Sequence, residues 1–190
     1  DKNKLFSTLY QKAMEGDKDC GGMIACNYYS GEPVTGLEEG RPMFLRRPDS
    51  HLGLANFMRS HLYASLATLK IGLDILLKEE DVKIDSITGH GGLFKTKGVG
   101  QSILAAAMNA PISVMETAGE GGAWGMALLA AYMLSKKDGQ SLGDYLDSRV
   151  FAERKSETME PDPSDVAGFE TYTKQYQACL AAEKAAVQAF

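Results

Sequence analysis

Two glycine-rich breaks set inside one apolar stretch limit what residues 84–134 can become. Residues 84–88 (IDSIT) form a short strand candidate that runs straight into Gly89, His90, Gly91 and Gly92. Residues 100–110 (GQSILAAAMNA) are apolar on nearly all sides, which suits a buried helix, and Pro111 marks its end. Residues 112–115 (ISVM) are a second short buried strand. TAGEGG at 117–122 breaks the pattern again, and 123–134 (AWGMALLAAYML) resumes as a helix too apolar to face water. Strand, helix, strand, helix in this order predicts an α/β fold with parallel strands joined by a helical crossover. The loops at the carboxyl ends of such strands are the natural ligand crevice.

Glycines at a strand-to-helix turn have a physical use. Without Cβ the backbone reaches left-handed dihedrals, and a phosphate or ribose can approach the amides at the helix start. Two familiar phosphate loops fail on these residues. No Gly-Lys is followed by Ser or Thr, which excludes the Walker pattern. Gly89 and Gly91 supply two glycines of a dinucleotide fingerprint, but Phe94 stands where the third belongs and no acid follows about 20 residues on. That disfavours a Rossmann-type dehydrogenase.

The segment GHGGLFKTKGVGQSILAAAMNAPISV resembles the nucleotide-binding segment of the FGGY carbohydrate kinases, and EGGAWGMALLA resembles the motif that follows it in that family. Upstream, NYYSGEPVTG resembles the family's strand ending in Ser-Gly-Glu, and LANFMRSHLYASLATLKIGLDIL resembles the long helix between them. The likeness spans residues 21–134 with its motifs in the family's order, which is far more specific than one glycine loop. It departs at Ala64 and Thr68, where the family has an Arg and an acid.

The resemblance implies a ribonuclease H-like, actin-like ATPase domain, the carboxyl-terminal domain of a sugar kinase, incomplete at its N-terminal end. It implies an ATP-dependent carbohydrate kinase, xylulokinase-like, with ATP and Mg2+ as cofactors and a sugar such as xylulose as substrate. The alternative is a non-catalytic, nucleotide-binding regulatory relative. Gly91 and Gly92 then give backbone access to the nucleotide, Thr96 occupies the family's polar position, and Lys95 reaches a phosphate. Glu120 and Gly125 match the following motif, Trp124 is bulkier than the usual Leu, and His90 is a loop spacer. No catalytic base is expected here; it belongs, with the opposing phosphate loop and the sugar pocket, to an N-terminal domain that this fragment lacks. That domain, the sugar and ATP are the implied partners, and a homo-dimer is left open.

Composition excludes other classes. A net charge of −5 and a pI near 5.3 supply no basic face for nucleic acid. The apolar runs hold too many glycines, over too few residues, to span a bilayer, and no signal-peptide pattern is expected at the start. Cys20, Cys26 and Cys179 lack metal-ligand spacing, so no metal site is predicted and reduced thiols in the cytoplasm are.

The remaining elements fall into two blocks, 1–150 and 151–190, of one domain. Residues 1–15 read as an amphipathic helix and 23–29 as a strand with a sharp exit at Glu32. That glutamate either points into a cleft or holds a turn or pairs with Arg41. Residues 36–47 read as a surface loop. Asp49 or Ser50 is expected to cap a long helix striped by Leu54, Met58, Leu62, Leu66, Leu69, Leu73 and Leu76, with His61 at its boundary. A short helix at 141–150 and a linker at 153–164 follow. The last helix, 165–190, carries Phe169, Tyr172, Tyr176, Cys179 and Leu180 on one docking face.

Overall fold

A computed structural model describes residues 1–84, 86–115, 121–152 and 156–189. Its centre is α2 (Leu54–Lys78), a 25-residue helix flanked by α1 (Lys2–Ala13) and by the antiparallel pair β1 (Met23–Cys26) and β2 (Met43–Arg46). The pair is in register Ile24↔Leu45. Beyond it, β3 (Ile87–Gly89) and β4 (Ile112–Met115) run parallel with Ile87 opposite Ile112, and α3 (Val99–Met108) makes the crossover. This is the predicted unit. Asn109 ends α3 in a left-handed turn (φ 48°) just before Pro111, a conformation that Asn tolerates better than most residues.

α4 (Gly121–Ser135) follows, then α5 (Leu142–Tyr145) with a π turn at Leu146–Val150, then β5 (Ser156–Met159) and α6 (Pro163–Ala189). α6 lays Phe169 and Tyr172 into the core against Tyr63, and Tyr176 against Tyr28, as its aromatic spacing predicts. The Tyr172 hydroxyl donates to the Ser60 carbonyl at 3.0 Å, so burial of that ring leaves no polar atom unpaired. The α2 stripe is buried only in its middle. Leu62 and Leu66 are buried, whereas Leu54, Leu69 and Leu76 stay exposed. Leu66→Ala is expected to cost about 2–5 kcal/mol, read from a denaturation midpoint, because it empties space inside a packed cluster.

Four expectations need correction. Residues 36–47 are not wholly loop: β2 lies there, with Met43 and Leu45 half-buried and Phe44 and Arg46 exposed, a period of two too short to read between Gly, Pro and Arg. Neither Asp49 nor Ser50 caps α2. Gly53 precedes it with no side-chain cap, because the His51 amide bonds the Gly21 carbonyl and holds the chain outside the helix. The linker at 153–164 contains β5, an edge strand antiparallel to β4 whose polar residues show no apolar alternation. Gln101 ties it down by donating to the Ile112 and Glu157 carbonyls, both at 2.7 Å.

The fourth concerns α4. Its sequence is apolar all round, yet none of its described residues is buried, and Met133 and Leu134 are 77% and 91% exposed. Hydrophobicity without an amphipathic stripe says that a helix needs covering, but the covering layer is not among the described residues.

Asp17 joins α1 to α2 by accepting from His51 (2.9 Å) and Asn56 (3.0 Å). These bonds hold its carboxyl below the ordinary value. Its contribution to stability is present above the unfolded carboxylate range and is lost as pH falls through the lowered native value. Asp17→Asn should therefore flatten the acid limb of the stability curve in a pH titration of unfolding; an unchanged limb would contradict the pairing.

Candidate functional site

The carboxyl end of β3 delivers the chain into the first glycine loop. Gly89 is buried, and a Cβ there would lie 2.4 Å from the Phe94 ring, so the ring folds back only over glycine. Gly91 has φ 108°, in the region that L side chains rarely adopt, and starts the 3₁₀ turn Gly92–Lys95. A Cβ at Gly91 or Gly92 would meet nothing within 4 Å. At the far end, Gly98 turns the chain at φ 82° into α3, and Gly100 is packed so closely that a Cβ would lie 2.6 Å from the Leu93 carbonyl oxygen. The loop is thus closed against its own helix on one side and open at Gly91 and Gly92 on the other.

Lys95 is exposed. Thr96 is not: it is 7% exposed, and its hydroxyl lies 3.2 Å from that of Ser7 on α1. The side chain expected to meet a nucleotide therefore braces the loop against α1 in this conformation. Gln11 adds a second brace by donating to the Lys97 carbonyl at 3.3 Å, and the Lys97 ammonium reaches Glu157 on β5 at 3.2 Å. Sequence reading missed Ser7 and Gln11 because a serine and a glutamine on an amphipathic helix carry no signal of a contact some 90 residues away.

Gly121, where α4 begins, comes to the first glycine loop. A Cβ at Gly121 would lie 3.0 Å from that of His90, so the start of α4 rests on the loop, and His90 serves as packing at this junction. Gly125, one turn on, faces open space. Trp124 sets its indole edge-on to Phe151, ring centres 6.0 Å apart, half-exposed rather than in the core. Glu120 lies outside the described residues.

Glu32 is held by backbone, its amide donating to the Leu37 carbonyl at 2.8 Å, while Arg41 pairs with Glu39 instead. His61 is a boundary residue, stacked beside Phe44 and 3.2 Å from the Asn27 side-chain oxygen. Burial holds its pKa below the ordinary histidine value.

The glycine loop thus sits at the end of a parallel strand with the start of α4 against it. The profile of the FGGY family of carbohydrate kinases, C-terminal domain, matches residues 1–134. The chain belongs to the FGGY family. Among solved structures, xylulose kinase from Rhodospirillum rubrum superposes with a TM-score of 0.64 at 18% identity, covering 93% of this chain and 33% of that one. Gluconate kinase from Lactobacillus acidophilus gives 0.68 at 18%, covering 92% and 34%. Plasmodium falciparum glycerol kinase, solved with ADP, gives 0.60 at 17%, covering 93% and 33%. A search of the curated proteins gives no match.

This FGGY chain therefore has the actin-like fold of sugar kinase C-terminal domains and spans about a third of the length of these structural neighbours. The β3–loop–α3–β4 unit falls inside the matched region, whereas β5 and α6 lie beyond it. Among the described residues, no group of three or more His, Cys, Asp and Glu is placed to hold a metal ion, and no helix is long and apolar enough to cross a membrane.

Proposed function

We propose that this chain supplies part of the nucleotide-binding half of an ATP-dependent carbohydrate kinase that phosphorylates a sugar such as xylulose. The observation that carries the reading is the loop at Gly91 and Gly92. Both residues leave space that any side chain would fill, at the carboxyl end of a parallel strand, with the start of α4 against its flank. ATP supplies the γ-phosphoryl group. Gly91 and Gly92 let it approach the backbone, Lys95 is the exposed lysine of the loop proposed to reach a phosphate, and Thr96 holds the loop's shape through Ser7. Mg2+ fits this reading as an ion carried by the phosphates, since such ions keep waters and few protein ligands.

The base that deprotonates the sugar hydroxyl, and the walls that exclude water, belong on this reading to an N-terminal domain preceding the chain. The uncovered apolar surface of α4 supports it: 15 residues of helix with no buried side chain need a partner layer. The location proposed is the cytoplasm, where ATP is available. A phosphorylation screen of the full-length kinase against ketoses and polyols with ATP and Mg2+ tests the reading. Transfer to xylulose or a close relative is expected; ATP binding without transfer to any sugar would favour the non-catalytic regulatory alternative.

A further inference from the structure

The turn that presents Gly91 and Gly92 is short and closed, the Phe94 amide donating to the Gly91 carbonyl at 3.1 Å. Its outlet is Thr96, whose backbone is extended (φ −90°, ψ 106°). Side chains alternate in an extended segment, and here Lys95 and Lys97 are exposed while Thr96 between them is buried. The side chains before it are committed to the protein as well, Leu93 against Gly100 and Phe94 against Gly89. A threonine hydroxyl that is buried and already paired is not available to a ligand at the open glycines.

What Thr96 meets instead is α1. Ser7 and Gln11 stand four residues apart, on one face of that helix, and reach consecutive residues of the outlet. The Ser7 hydroxyl lies 3.2 Å from that of Thr96, and the Gln11 side-chain amide donates to the Lys97 carbonyl at 3.3 Å. The ion pair of Lys97 with Glu157 joins two well-exposed side chains and is of the kind that contributes little. The contacts with α1 therefore decide where the outlet sits. A turn held at its outlet keeps the amides of Gly91 and Gly92 ordered before a ligand arrives, which lowers the cost of binding.

We propose that Thr96 makes no contact with the nucleotide and acts instead through Ser7 of α1, as a positioning residue that holds the turn at Gly91 and Gly92 in place. The inference rests on the nucleotide reading of that loop, and it departs from the role that the family resemblance implies for Thr96.

A double-mutant cycle separates the two roles. ATP with Mg2+ is titrated into the full-length protein and its Ser7→Ala, Thr96→Val and Ser7→Ala/Thr96→Val variants, with Gly92→Val alongside and Tm measured on each. Each single variant removes one partner of the same hydrogen bond, so each should weaken ATP binding about three- to tenfold. The double variant should bind no more weakly than either, because there is one interaction to lose. The exchanged pair Ser7→Thr/Thr96→Ser keeps both hydroxyls and should recover most of the affinity. A Thr96→Val loss that persists at full size in the Ser7→Ala background would overturn the proposal and give Thr96 to the nucleotide. A fall in Tm at equal ATP affinity would overturn it in favour of a purely structural contact. Unchanged affinity in both single variants, with Gly92→Val weakened, would overturn it and leave the nucleotide reading standing; unchanged affinity in all three would take that reading down as well.

Discussion

Replacing Arg59 with methionine is expected to cost about 3–5 kcal/mol of stability, the range for breaking a buried ion pair, and to lower Tm by roughly 6–20 °C for a chain of this size. Arg59 is fully buried on α2. Its guanidinium pairs with Asp165 of α6, donates to the Tyr63 hydroxyl at 2.9 and 3.1 Å, and lies 3.4 to 3.5 Å from the carbonyl oxygens of Ala13, Met14 and Gly16 at the end of α1. One side chain thus joins three helices. Methionine fills part of the volume but leaves the carboxylate and the carbonyls without their donor.

Lys18 also reaches Asp165, at 2.7 Å, but from a position 45% exposed, so it compensates only in part. Removing both charges in Arg59→Met/Asp165→Leu should recover some of the loss, because the orphaned carboxylate goes with the arginine. Denaturant midpoints of the two variants provide the check. A midpoint unmoved in the single variant would show that α1, α2 and α6 are not held together here.

The largest expected effect concerns activity. The 190-residue chain by itself should transfer no phosphoryl group to xylulose or related sugars above the buffer rate. Catalysis of this transfer is mostly positioning and electrostatics, and positioning alone accounts for about 7–11 kcal/mol, or five or more orders of magnitude in rate. The described residues provide an open glycine loop, and α4 beside that loop has no buried residue. Turnover that tracks the purified chain through successive columns would show that the opposing domain is not needed.

Where local pattern and final environment agree, the elements were legible from sequence. The alanine-rich run before Pro111 became α3, ISVM became β4, and Phe169, Tyr172 and Tyr176 became the buried face of α6. The glycine loop was legible because glycine is a backbone statement, and Gly91 has the positive φ that its type suggests. What failed to show depends on partners distant in sequence. β5 is a strand because β4 offers it an edge, not because SETM alternates. Thr96 turns inward because α1 presents Ser7 to it. α4 reads as buried because its residues demand cover, and a sequence records that demand without naming what meets it.

The central claim is that nucleotide lies against the open side of Gly91 and Gly92. Gly92 is the better probe of the two, because it lacks the positive φ of Gly91 and has empty space where a side chain would go, so Gly92→Val should leave the fold intact. Titration of ATP with Mg2+ into the full-length protein and its Gly92→Val variant, with Tm measured on both, is the direct test. The account predicts affinity weakened about tenfold or more, a loss of at least about 1.4 kcal/mol, at unchanged Tm. Equal ATP affinity in the two proteins would contradict it.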